Sequence, residues 1–349
     1  MFKKINIFIF FLVGPFLAIF LVCSQFSQAA ELLIMDTNEV KENMDYLKEE
    51  THSLGNDISN FGFLIASQFE TFLRQSETLE ELTEQSSEYK ELSEDIYEQK
   101  ILNMLGPAVE TYKNKNTEIK IFKLDELGYR GYIAKIKLFD PDCFEVVLGK
   151  DTLGEVETTS EVAERKGAIL AINGGGFYYE TKDGKKFAQL IGNTVIDGEL
   201  VEPFNGYPGD LFFAGINKDG EVIGNVPQTE DELMDLDPYQ GVSFIPVLLQ
   251  DGKKVDIPEK WAETKQPRTI IGQYANDDLI FIVVDGRQND WSVGVSLERL
   301  QDKLLELGVK EGYNLDGGGS SAMYFDGALL NKPSDGKQRP VVNNIIIKP

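Results

Sequence analysis

From Met44 to Ile96 the chain places apolar or small residues in alternating steps of three and four, and at Gly106-Pro107 that rhythm ends. Met44, Leu47, Thr51, Leu54, Ile58, Phe61, Ile65, Gln68, Phe72, Gln75, Leu79, Leu82, Ser86, Tyr89, Ser93 and Ile96 follow a 3.5-residue repeat with no intervening proline. Such a period belongs to a coiled coil or a long helical hairpin and to no sheet. Gly55, Gly62 and the polar seam positions leave a broken, two-helix arrangement as open as one continuous rod. Residues 31–105 are therefore read as a helical stalk, with His52, the single histidine, an ordinary member of it. This stretch holds 18 acidic and 5 basic side chains, which is 13 of the 24 excess negative charges of the chain. Spacing or homo-oligomerisation is the role its composition suits.

Ahead of the stalk, Lys3 and Lys4 precede an apolar run from Ile7 to Cys23, and no further charge occurs until Glu31. Seventeen apolar residues lie at the short end of the roughly 17–25 that span a bilayer and exceed a signal-peptide core of roughly 7–15. Residues 1–30 are expected to be a transmembrane signal anchor with the body outside the cell membrane; the alternative is secretion after cleavage near Ala29-Ala30.

After a linker, 106–117, the texture changes to short apolar runs divided by Gly, Asp and Asn, and this continues from 118 to 349. Strands are expected at Tyr132–Leu138, Ala168–Asn173, Leu211–Ile216, Ser243–Leu249, Thr269–Tyr274, Leu279–Val284, Ala322–Phe325 and Asn344–Ile347. Asp-Gly pairs between several of these runs suit hairpin turns. The clearest helix is capped by Ser296, carries Leu297, Leu300, Leu304 and Leu307 on one side, and stops at Gly308. The class is α+β, strands dominating, with few packed helices. A net charge of −24 repels nucleic acid, and two isolated cysteines provide neither a disulfide framework nor a cysteine metal site. With no histidine beyond residue 52, histidine-based triads and His-ligated zinc are excluded from this domain.

Four segments of the domain set polar side chains where an apolar strand meets a turn: AILAINGGGF ending in Asn173, QPRT with Arg268, LIFIVVDGR with Asp285 and Arg287, and NLDGGGSS with Asp316. Rigid sites are built at such strand ends. Any one of them reads equally well as a hairpin turn or a surface ion pair; their combination is specific. With GAILAINGGGF (167–177), PRTIIG (267–272), VVDGR (283–287), NLDGGGSSAMYFDG (314–327) and QRPVVNNIII (338–347), the chain resembles the phosphodiester glycosidase family over roughly Gly154 to Pro349. Where that family often has Asn-Ala-Asn/Gly-Phe-Phe, this chain has Asn173-Gly-Gly-Gly-Phe177-Tyr178, which keeps Asn173 and Phe177 and leaves the sugar unspecified.

The resemblance implies hydrolysis of sugar-1-phosphodiesters of the N-acetylglucosamine-1-phosphodiester kind, in cell-surface or exopolysaccharide-like extracellular glycans. It implies catalytic roles for Asp316, Asp285 and Asn173. It implies phosphate or substrate binding by Arg268, Arg287, Gly317, Gly318, Gly319, Ser320, Ser321 and, as a third cation, Arg339. Arginine forks suit phosphate oxygens, glycine turns offer N–H donors, and aspartate suits activation of water or attack at the anomeric carbon. No cofactor is required by this chemistry, and a calcium ion near Asp285 or Asp316 is left open. The alternative is a non-catalytic glycan-binding or exopolysaccharide-assembly module on a membrane stalk.

Overall fold

The structure is a computed structural model that describes residues 37–182, 184–206 and 211–349. The Ile7–Cys23 run lies outside the described residues, and among those described no helix is long and apolar enough to cross a membrane. The stalk segment is one uninterrupted helix, α1 (Thr37–Leu105), so the two-helix alternative does not hold. Gly55 and Gly62 sit within it on open surface. Met44, Leu47, Leu54, Ile58, Phe61, Phe72, Leu79 and Leu82 of the seam are exposed.

The chain divides into two compact units, Met1–Tyr89 and Lys90–Pro349. The last turns of α1 thus belong to the second unit, and its beginning differs from the expected one at residue 118. Ile101 is fully buried there, with Tyr97, Leu102 and Leu105 around it. Glu98 pairs with Lys120 at 2.9 Å and with Lys135, itself 3% exposed and paired with the buried Asp278. The stretch expected to be a linker holds a strand, β1 (Glu110–Lys113), paired with β2 (Thr117–Glu126). Asn114 shapes the turn between them by accepting from the N–H groups of Asn116 and Thr117.

The other strands that position the site are, in chain order, β3 (Tyr129–Leu138), β4 (Phe144–Leu148), β5 (Leu170–Asn173), β6 (Phe177–Lys182), β7 (Lys185–Leu190), β8 (Arg268–Tyr274), β9 (Leu279–Val284), β10 (Val309–Leu315), β11 (Met323–Phe325) and β12 (Asn343–Ile347). An eight-stranded sheet runs β1-β2-β3-β9-β8-β10 and ends in the short strands Val247–Gln250 and Lys253–Lys254. The run expected as one strand at Ser243–Leu249 is split at Pro246, whose missing N–H cannot serve a ladder. A five-stranded sheet holds β11-β5-β12-β4 with Ala328–Leu329, another is built around Phe212–Asn217 and Pro238–Phe244, and β6 and β7 form a separate hairpin.

Both faces of the large sheet are covered, so β9 reads LIFIVV without alternation and every residue of it is buried. Ile271, Phe281, Val283, Tyr313 and Leu315 pack against Phe144, Leu170, Ile172 and Phe212 of the smaller sheets. Ile270, Ile280, Ile282 and Val284 pack on the opposite side with Ile101 and with Leu297, Leu300 and Leu304 of the Ser296-capped helix (Leu297–Glu306). At Asp197-Gly198, Asp251-Gly252 and Asp326-Gly327 both residues have positive φ, as a tight two-residue hairpin turn requires.

Candidate active site

Strand β8 runs antiparallel to both neighbours, with Arg268 opposite Val284 of β9 and Thr269 opposite Leu315 of β10. The start of β8 and the ends of β9 and β10 therefore meet at one edge of the sheet, delivering Arg268, Asp285 and Asp316 together. The N–H of Asp285 bonds Arg130 O at the start of β3, and the N–H of Asp316 bonds Gly174 O after β5. Two sheets thus contribute to one edge.

Asn173 joins them. Its Oδ1 accepts from Thr269 Oγ1 at 2.7 Å and from the Ala322 N–H at 3.1 Å, while its Nδ2 donates to Asp316 O at 2.6 Å. With no exposed surface and these three bonds to three segments, the side chain positions the Asp316 turn and does not present itself to a substrate. Replacing it by alanine strands two donors and a carbonyl, for which we expect a loss of about 3 kcal/mol in urea unfolding. A loss of activity with unchanged stability would instead assign Asn173 to the chemistry.

Asp316 is partly open to solvent, yet burial pushes its carboxyl up to about 6, against the opposing pull of Ser320, the Gly317 N–H and Arg339. Ser320 Oγ leans toward it without completing a hydrogen bond, and Ser321 Oγ is likewise buried without a protein partner. Gly318 has φ +63 and a Cβ there would come within 3.0 Å of the Arg287 guanidinium; a Cβ at Gly319 would overlap Arg339 and Asp335. Glycine is needed because two guanidinium groups lie directly on the turn.

Arg268 is 8% exposed and gives its N–H groups to Thr264 O and Val295 O. Burial, and then the neighbouring Arg287, lower its pKa to about 10. Arg287 is exposed, holds Gln266 Oε1 through Nε at 2.8 Å and adopts φ +63, a conformation costly for a long side chain. Among the described residues neither arginine has a carboxylate within ion-pair distance, although the Arg287 charge reaches Asp335, and two neighbouring cations so placed suit an anion. Arg339, the third candidate, is instead paired with Asp335 at 2.9 Å at the rim.

Asp285 does not face Asp316. The two backbones lie two strand spacings apart, about 10 Å, and both Asp285 oxygens are held by donors of their own. Oδ2 accepts from Trp291 Nε1 at 2.8 Å, and Oδ1 from Asn331 Nδ2 and the Lys332 N–H, both at 2.9 Å. Burial raises its pKa against these three donors. Asn331 also donates to Ser321 O, so Asp285 braces the glycine-serine turn from behind. A carboxylate ringed by N–H donors is no calcium ligand, and among the described residues no three carboxylate, histidine or cysteine groups cluster to hold a metal. Trp291 and Asn331 were not singled out in the sequence, and Gln266 stood there only as the first residue of QPRT; the signal for Trp291 was a polar, tryptophan-bearing loop straight after VVDGR.

The arrangement is that of a strand-rich α+β domain with a carboxylate on a glycine turn and arginines against it, a site whose charges suit an anionic ligand. The phosphodiester glycosidase profile matches residues 166–348, more than half of the chain, and the chain belongs to that family. A Bacillus subtilis protein described as SPbeta prophage-derived uncharacterized protein YomE is 31% identical over 55% of this chain and 29% of its own length. The N-acetylglucosamine-1-phosphodiester alpha-N-acetylglucosaminidase of Bos taurus is 30% identical over 51% of this chain and 35% of its own. The chain spans about a third of the length of these curated relatives. Among solved structures, the auto-inhibited catalytic domain of the zebrafish enzyme of the same name is similar with TM-score 0.54 and 26% identity, covering 70% of this chain and 87% of that one.

Proposed function

We propose that this protein hydrolyses sugar-1-phosphodiesters, the linkage named in its mammalian and zebrafish relatives, in glycans outside the cell. The observation that carries the reading is the gathering of guanidinium groups at the glycine turn that carries Asp316: Arg287 and Arg339 lie against Gly318 and Gly319, and the buried Arg268 neighbours Arg287. Arg268 and Arg287 hold the phosphate oxygens, joined by the hydroxyls of Ser320 and Ser321. Asp316, mostly ionised at neutral pH, takes a proton from water as the water oxygen attacks the anomeric carbon. The bond from that carbon to the phosphate oxygen breaks, and the phosphate monoester leaves with the electron pair. As a weak base it needs little help from an acid, in keeping with a site where Asp285 has no free oxygen to offer.

The positive residues and apolar run before residue 24 support an exported body tethered by a membrane helix, or secreted after cleavage. The exposed apolar seam of α1 supports pairing with further copies. Incubating the protein with a panel of sugar-1-phosphodiesters and following monoester release by phosphorus NMR tests the activity. Binding without release would favour a glycan-binding module.

Arg268→Lys and Arg287→Lys each keep the charge and lose the planar fork. Inhibition by the phosphate monoester product is expected to weaken about 10–100-fold in each. Unchanged inhibition would remove these residues from the phosphate site.

A further inference from the structure

The hairpin β6–β7 grows directly out of the site. Gly174 O holds the N–H of Asp316, and Tyr178 follows four residues later, no more than about 14 Å along an extended chain. Its base is anchored: Ala188 and Leu190 are buried beside Leu153, Val156 and Val342, and the Ala188 N–H bonds Gly154 O. Beyond that base Phe187 packs on Gly154, while Tyr178, Lys182, Lys185 and Lys186 stay exposed. Tyr178 and Tyr179 are 47% and 44% exposed, on opposite faces of the strand, with Phe177 edge-on to the Tyr179 ring. Lys186 Nζ stands 3.4 Å from the Tyr179 ring, and Lys182, paired with Glu180, stands over Phe187. Among the described residues neither Lys185 nor Lys186 has a carboxylate at ion-pair distance. In a chain of net charge −24, this short arm carries Lys182, Lys185 and Lys186 against Glu180 and Asp183, a small positive excess.

Resting on the activity proposed above, we infer that this arm binds the continuing chain of a polymeric substrate, a glycan whose sugars are joined by phosphodiesters. Tyrosine rings offer flat apolar faces for the C–H face of a pyranose, and the lysines match the phosphates between sugars. A substrate that extends past the cleaved bond covers the distance to the arm, which the chain itself limits to about 14 Å from Gly174. The arm therefore selects for polymer over small ester, and salt weakens that selection.

The test compares a linear polymer of N-acetylglucosamine 1-phosphate with the methyl phosphodiester of the same sugar, using wild type, the double substitution Lys185→Glu with Lys186→Glu, and Tyr178→Ala. For the polymer, kcat/KM is expected to fall roughly tenfold in each variant, with the small ester changed by no more than about twofold. Equal loss on both substrates, or loss on neither, overturns the inference. Retardation of each protein in a gel containing the polymer is measured alongside. If wild type cleaves neither compound, the proposed activity fails, and the gel decides the arm: retardation of wild type lost in the variants supports it, and equal migration rejects it.

Discussion

Asp316→Asn should abolish turnover, by about a thousandfold or more in kcat, and should at the same time make the protein more stable at neutral pH. The second effect follows from the direction of the pKa shift. Burial raises this carboxyl from 3.8 to about 6, so the folded state binds its proton more tightly than the unfolded chain. That preference favours folding fully below about pH 4 and is lost as pH rises through about 6. At pH 7 the ionised carboxylate sits in a folded environment that disfavours it by about 3 kcal/mol, a cost the neutral amide does not carry. Thermal unfolding at pH 7 should show Asp316→Asn above wild type, and the difference should vanish near pH 4. The same titration predicts that wild-type kcat/KM falls tenfold per unit below about pH 6. A variant that is inactive and also less stable at pH 7 would show that the aspartate holds the turn together and that its charge is not spent on chemistry.

A chain starting at Glu118 should unfold far more easily than one starting at Lys90. The shorter chain lacks Ile101, which fills the core beneath the large sheet, lacks β1, and leaves Lys135 and Lys120 without Glu98. Losing a fully buried isoleucine alone is worth about 2–5 kcal/mol. Lys135→Met in the longer chain isolates the same network from the other side. It strands the carboxylate of Asp278, 2% exposed, and should cost about 3–5 kcal/mol. Urea unfolding of the three proteins decides this. Equal stability of the Glu118 and Lys90 chains would show that the end of α1 is only an ornament on the domain.

The strand ends that meet at the site could be read from the sequence because each is a wholly buried run abutting a polar residue and a glycine. LIFIVV before Asp285 and the buried β8 after Arg268 leave little choice of register. What could not be read was the direction in which each polar side chain points. Asp285 and Asp316 look alike in the sequence, both followed by glycine. Only Trp291 and Asn331, six and 46 positions away, reveal that the first is a brace. Asn173 carries the same ambiguity, since its three partners lie 96, 143 and 149 positions distant. The start of the domain was hidden for another reason. A repeat of apolar residues on a helix marks a face to be covered and does not say whether a second helix or a sheet covers it. Ile101 meets a sheet. Strand β1 escaped because ETYK is an exposed edge strand with no alternation to betray it.

Strand β12 sits between β4 and β5, hydrogen-bonded to both, and Asn343 also receives the N–H groups of Gly174 and Gly175. During synthesis β4 and β5 emerge long before the piece that bridges them. Until residues 343–347 are in place, β5 has only β11 beside it, β4 has no ladder partner in this sheet, and the Gly174 loop lacks both contacts from Asn343. A chain that stops short of residues 343–347 can possess Arg268, Arg287 and Asp316 and still lack the strand that ties β4 to β5 and steadies the Gly174 loop.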